Sequence, residues 1–321
     1  MRVGDLGIEV AAELLQPENS PKPVGARSLR CWPSETDQCS QTMITTTRAL
    51  RLTACTPATP SRPLFVFLPG MDGSGALLQP QVTGLRTIFD IRCLSIPPDD
   101  LRGWDELTEQ VAALIRIEQQ RHPGRTTTVC GESFGGCLAL RLITRFPSLC
   151  DQLILVNPAS SAQRQPWIGA CSSLTQLLPT PIYQLSTLSL CNLLIASPRV
   201  SRPTRLQLLA AMQAVKPQSA AWRLALLRQF RLEDLSLDRV RQPVLILASE
   251  ADRLLPSPRE AKRLARFLPT TTIVQLPDSG HACLLEDQLN LSAILKSQGV
   301  CPDLSLSTLP VNAPAQAAAA L

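Results

Sequence analysis

Six short runs of branched and aromatic apolar residues recur along the 321-residue chain with helical spacing between them, and that rhythm leaves few folds open. They are "LFVFLPG" from Leu64, "IRCLSI" from Ile91, "TTTVCG" from Thr126, "QLILVNP" from Gln152, "PVLILAS" from Pro243 and "TTIVQLP" from Thr271. Each reads as a buried strand ending in a turn. Leu107, Val111, Leu114 and Ile115 stand at i, i+4, i+7 and i+8 before "HPG" closes a helix, and "ESFGGCLALRLITRF" predicts another that stops before Pro147. Alternating strands and helices predict an α/β fold with a mostly parallel central sheet and helices on both faces. Ser257, Pro258 and Glu260 have the spacing of a capping box with proline in the first turn.

The rhythm breaks between residues 159 and 239. No strand is legible there, while Leu206, Leu209 and Met212, and then Trp222, Leu226 and Phe230, keep helical spacing. A helical insertion between two strands is expected to sit above the sheet as a lid. The core would then span 61–158 and 240–300. Residues 1–60 are rich in Pro, Ser and Thr and read as an irregular leader, within which Met43 is a candidate internal start. Residues 301–321, with "NAPAQAAAAL", read as a disordered tail.

Composition removes several classes of function. The formal charge of +5 is scattered arginine without a basic stripe, which argues against nucleic acid and leaves peripheral contact with an anionic membrane surface open. Eleven cysteines, an odd number at irregular spacing, read as reduced thiols in a reducing compartment. With two histidines and no C-x-x-C pair, neither a metal site nor a cofactor is expected. There is no secretory h-region and no apolar run of about 18 residues, so a cytoplasmic location, peripheral to a membrane at most, is expected. Nothing in the sequence fixes an oligomeric state.

"VCGESFGG" carries the chemistry. Ser133 falls between a β-branched strand and a helix, with Gly131 and Gly135 two residues to either side. Such a turn strains the serine backbone, and flanking glycines remove the Cβ atoms that would clash. A glycine-rich turn with an inert serine would explain this motif alone, but not its companions. Acyl transfer needs two backbone N–H donors for the developing oxyanion. One is expected from Phe134, after the serine, and the other from Met71 in "FLPGMDGSG". That loop lacks the Gly-Lys-Ser/Thr ending and the G-x-G-x-x-G order of phosphate-binding turns. His281, in "LPDSGHACLLED", follows the last strand and is the candidate general base; His122, beside Pro123, reads as a surface helix cap. Asp252, in the loop before the Ser257 helix, is the candidate acid, with Glu250 and Asp278 as rivals.

In these motifs and their order of serine, aspartate and histidine, the chain resembles the α/β-hydrolase superfamily over roughly Leu64 to Leu291. "FLPGMDGSG" with "GESFGG" is similar to the esterase, lipase and thioesterase branch found in the hydrolase portion of plant phytyl ester synthases and their cyanobacterial relatives. That branch has proline in place of the usual loop histidine, as Pro69 is here. The resemblance implies Ser133 as nucleophile, Asp252 as acid, His281 as base, and Met71 and Phe134 as the oxyanion hole. The synthases also carry an acyltransferase-like region with an H-x-x-x-x-D motif. Neither histidine here has aspartate five residues later; His281 meets Glu286.

The expectation is therefore a serine hydrolase that cleaves carboxylic, lipid acyl included, esters or thioesters through an acyl-enzyme. The alternatives are transfer of the acyl group to a lipid alcohol, hydrolysis of a small polar substrate under a closing lid, and a non-catalytic binding protein that keeps the pocket.

Overall fold

A computed structural model describes residues 49–166, 168, 175 and 179–300, all within the compact unit Thr45–Leu321. Most of the expected leader and the whole expected tail therefore lie outside the described residues. Seven strands form one sheet: β1 (Arg51–Ala54), β2 (Leu64–Leu68), β3 (Asp90–Ser95), β4 (Thr127–Glu132), β5 (Gln152–Val156), β6 (Val244–Ser249) and β7 (Thr271–Leu276), in the order β1-β3-β2-β4-β5-β6-β7. Every pairing is parallel except β1 with β3.

The central strands are covered on both faces, which is why β2, β5 and β6 carry near-continuous apolar runs. Alternate side chains feed two cores: Leu64, Val66 and Val129 point to one, Phe65, Phe67 and Cys130 to the other. The first core receives the helices α2 (Trp104–Arg121), α3 (Phe134–Arg145) and α7 (Ser257–Leu264); the second receives α1 (Gln79–Leu85) and α8 (Leu291–Ser297). His122 stands at the C-cap of α2, where a surface cap was expected.

Three expectations need correction. β1 forms inside the span expected to be irregular, because a four-residue, largely exposed edge strand needs only one partner and carries no apolar run to announce it. The capping box is not made: α7 begins at Ser257 after Pro256, the Ser257 hydroxyl bonds Asp252, and Glu260 bonds Ser160 and Arg263. The first leucine stripe is also shifted. Leu206 is exposed, and Leu208 and Val215 face inward beside Met212, the one expected member that lines the cavity.

Between β5 and β6 the described residues contain no strand, only helices, including α4 (Thr180–Leu194), α5 (Arg202–Ala214) and α6 (Pro217–Gln229). α6 is tied to the core by Trp104, whose Nε1 donates to Leu226 O at 3.0 Å while its ring stacks on Phe134 and meets Phe230 edge-on. Trp222 Nε1 donates in return to Arg102 O at 2.9 Å.

Candidate active site

Parallel strands put their C-terminal ends at one edge of the sheet, and the loops after β2, β4, β5, β6 and β7 meet there. β4 delivers Ser133. Its φ of 51° and ψ of −111° are rare for a residue with a Cβ, and the surroundings impose them. Ser133 N–H donates to Val156 O at 3.0 Å and its carbonyl accepts from Ala159 N and Gly136 N, each at 3.0 Å. The helix then passes so close to β2 that a Cβ on Gly135 would lie 2.0 Å from Leu68 O, and one on Gly131 would lie 2.4 Å from Gly135 O. Only glycine fits at either position.

His281 and Asp252 reach Ser133 from the loops after β7 and β6. His281 Nε2 lies 2.9 Å from Ser133 Oγ, and His281 Nδ1 lies 2.7 Å from Asp252 Oδ2. The carboxylate can only accept, so Nδ1 carries the proton and Nε2 accepts the serine hydroxyl. Burial alone would push the Asp252 carboxyl up; electrostatic attraction to His281 and its hydrogen bond, with the hydrogen bonds from Ser257 and the main chain, hold it below the usual carboxylate range. Leu254 N and Leu255 N both donate to its Oδ1 at 2.9 Å. The rival acids are placed elsewhere: Glu250 is exposed at the turn, and Asp278 is exposed with φ of 58°.

The two expected oxyanion donors also flank the serine. Phe134 is the first residue of α3, its ring locked against Trp104 with centroids 4.7 Å apart, so its main chain is fixed at the helix N-terminus. Met71 lines the same cavity as Ser133 and His281. Its loop is held by Gly73 N–H to Gly70 O at 3.1 Å and by Ile96 N–H to Gly73 O at 2.7 Å. The buried guanidinium of Arg223, from α6, clamps it further by donating to Met71 O and to Pro97 O.

Several positioning residues escaped the sequence reading. Asn157, fully buried with φ of 42° after β5, donates through Nδ2 to His281 O at 2.7 Å and to Ser249 Oγ at 2.8 Å, while its Oδ1 accepts Ser249 N–H. It ties three loops together. Asparagine tolerates positive φ, so one placed at a strand end before proline was a readable signal. Glu286 accepts Gly280 N–H at 2.8 Å, Ser279 Oγ at 2.9 Å and Arg199 Nε at 2.6 Å, bracing the histidine loop from below. The same loop grips the end of α4 through Ala282 N–H to Leu194 O at 2.9 Å.

Above these groups lies a cavity of about 330 Å³. Leu190, Leu208, Met212 and Val215 from the insertion line it, with Ile168 and Leu227. Glu132 and Asp72 also face it. Burial, aided by the negative charge of Asp72, pushes the Glu132 carboxyl up to about 8, so it is largely protonated at neutral pH. Among the described residues no cluster of His, Cys, Asp or Glu could hold a metal ion.

The chain resembles known proteins in sequence and in fold. The chain is 34% identical over 260 residues to phytyl ester synthase 1 and 30% identical over 269 residues to phytyl ester synthase 2, both chloroplastic proteins of Arabidopsis thaliana. These matches cover 74% and 75% of the chain, but the chain spans only 37% and 38% of the two relatives' lengths. The esterase EaEST from Exiguobacterium antarcticum superposes with a TM-score of 0.62 at 17% identity, covering 78% of this chain and 94% of its own. The profile of the family described as "Serine aminopeptidase, S33" matches residues 99–288, more than half of the chain. Family profile, sheet topology and relatives agree, and the chain belongs to the serine aminopeptidase S33 family of the α/β-hydrolase superfamily.

Proposed function

We propose that this hydrolase cleaves carboxylic esters or thioesters with an apolar acyl chain through an acyl-enzyme on Ser133. The observation that carries the reading is the hydrogen-bonded chain Ser133, His281, Asp252 at the floor of a predominantly apolar cavity. His281 takes the Ser133 proton as the oxygen attacks the carbonyl carbon, and Asp252 stabilises the imidazolium that forms. The N–H groups of Phe134 and Met71 face the oxyanion. Collapse of the tetrahedral intermediate expels the alcohol or thiol with the proton from His281. Water, deprotonated by the same imidazole, then releases the carboxylic acid.

The helical insertion acts as the lid, and its inward leucines receive the acyl chain. Its α4 has no charged residue and leaves Ile182, Leu185 and Leu188 exposed, which supports peripheral contact with a lipid surface. No described helix is long and apolar enough to cross a membrane.

Ser133→Ala tests the reading. It should lower kcat for p-nitrophenyl octanoate by on the order of 10⁶, with the circular dichroism spectrum unchanged. Unaltered turnover would sink the mechanism. Rapid labelling of Ser133 by a fluorophosphonate separates an enzyme from a binding protein that keeps the pocket. A second reading, acyl transfer to a lipid alcohol, is favoured by the similarity to two proteins named as synthases. Adding a long-chain alcohol to the octanoate reaction and finding its octanoyl ester would establish it.

A further inference from the structure

The apolar cavity has one polar corner, and it adjoins the nucleophile. Three insertion hydroxyls that face the cavity are used internally: Tyr183 donates to Met212 O, Ser186 to Tyr183 O and Thr187 to Gln184 O. Asp72 and Glu132 differ. Ser74 donates both its N–H and its hydroxyl to Asp72 Oδ2, which fixes the carboxylate and leaves Oδ1 buried with no partner. A Cβ added to Gly70 would lie 3.6 Å from that Oδ1 and 3.8 Å from Ser133 Cβ, so the free oxygen and the nucleophile border the same small space. Glu132 is the last residue of β4, adjacent in sequence to Ser133, only 3% exposed, and its Oε2 is likewise buried without a partner.

Buried polar atoms are normally satisfied, and two orphans beside a reactive serine mark a place for a ligand group. We propose that Asp72 and Glu132 form a hydroxyl-binding subsite, selecting an ester that carries a free hydroxyl close to its scissile carbonyl. This deepens the ester-hydrolase reading and rests on it. A hydroxyl fits because it both donates and accepts. Asp72 Oδ1 accepts a hydrogen bond from its O–H, and the protonated Glu132, held neutral by burial and by Asp72, donates to its oxygen. An ester of a simple alkanol would enter the same cavity and leave both acids unpaired.

The test compares kcat/KM for propyl octanoate, 2-hydroxyethyl octanoate and propyl 3-hydroxyoctanoate at pH 7, so that the hydroxyl sits on neither side, the alcohol side or the acyl side of the carbonyl. One hydroxylated ester should be preferred over propyl octanoate by about 10- to 100-fold, the discrimination that a hydrogen bond to a charged group supplies. Glu132→Leu should collapse that ratio towards one. Glu132→Gln, which keeps a donor, should retain most of it. Asp72→Asn should also collapse it, because the Ser74 donors hold the one remaining oxygen and turn an amide NH2 towards the cavity. Reading the ratio within each variant separates the subsite from any general loss of activity. No preference in the wild-type protein, or a preference that survives both Glu132→Leu and Asp72→Asn, overturns the subsite and leaves ester hydrolysis standing. Turnover of none of the three esters overturns both.

Discussion

The loop after β6 and the last residue of β4 each bring a buried carboxyl group to the same serine, and their surroundings drive them to opposite charge states. Asp252 accepts from Leu254 N, Leu255 N, Ser257 Oγ and His281 Nδ1, and its carboxyl is held below the usual range. Glu132 has a buried oxygen with no partner and a negative neighbour, and is pushed up to about 8. Burial raises both; donors decide the outcome. Two acids with environments that separate their protonation states can hold two different jobs at one pH, one as a permanent anion and one as a donor.

The contrast breaks most visibly at Asp252→Asn. The amide cannot stabilise an imidazolium and favours the wrong histidine tautomer, so kcat should fall by on the order of 10⁴, with KM for p-nitrophenyl octanoate little changed. A loss below tenfold would mean that another group orients His281.

Stability against pH reads the same contrast from both sides. Asp252 is depressed, so the stability it contributes is present above the ordinary aspartate range and is lost as pH falls through its folded value. Glu132 is raised from 4.5 to about 8, so between those values the folded protein holds a proton that the unfolded chain has released. Stability therefore declines as pH rises through that window, by on the order of a few kcal/mol once above it. Glu132→Gln carries no such proton, and its melting temperature should gain on the wild type steadily from pH 5 to pH 8. Parallel curves across that range would show that Glu132 is already ionised.

What the sequence makes legible follows from where its constraints act. β2, β5 and β6 are readable because parallel strands covered on both faces read as near-continuous apolar runs, whereas β1 is an exposed edge of four residues. Ser133 is readable because local sterics forbid any side chain at Gly131 and Gly135. Asp252 and His281 follow from strand ends. Arg223 and Glu286 are silent, since each acts through a partner that only folding brings near: Arg223 and Met71 are 152 residues apart, and Asn157 shows its turn but not its partner His281, 124 residues on. Ser257 misleads for the same reason. Its spacing to Glu260 imitates a capping box, while its hydroxyl serves Asp252 instead. The insertion is legible as helical, yet which leucines face the cavity depends on a rotation of α5 that places Leu208 inward and Leu206 outward.

Ser257→Ala removes one of the four donors to Asp252 and leaves the other three. A hydrogen bond to a charged group contributes about 1.5 to 3 kcal/mol, and the main-chain donors still fix the carboxylate. The expected result is about a tenfold fall in kcat, with the acid limb of the pH–rate profile moved to higher pH because the carboxylate has lost a donor. An unchanged limb would mean that Ser257 serves α7 rather than Asp252.

The smallest effect is expected at Glu250→Gln, and it guards the assignment of the acid. Glu250 stands two residues before Asp252 on the same loop, and its N–H donates to Leu276 O at 3.0 Å, yet its side chain is exposed. A solvated carboxylate there is screened from His281 and has no desolvated partner to hold. Exposed substitutions of this kind stay within about 0.5 kcal/mol, so kcat should change by about twofold or less. A loss approaching that of Asp252→Asn would transfer the role of the acid to Glu250, and the contrast between one satisfied and one orphaned carboxyl would no longer describe how this site divides its charge.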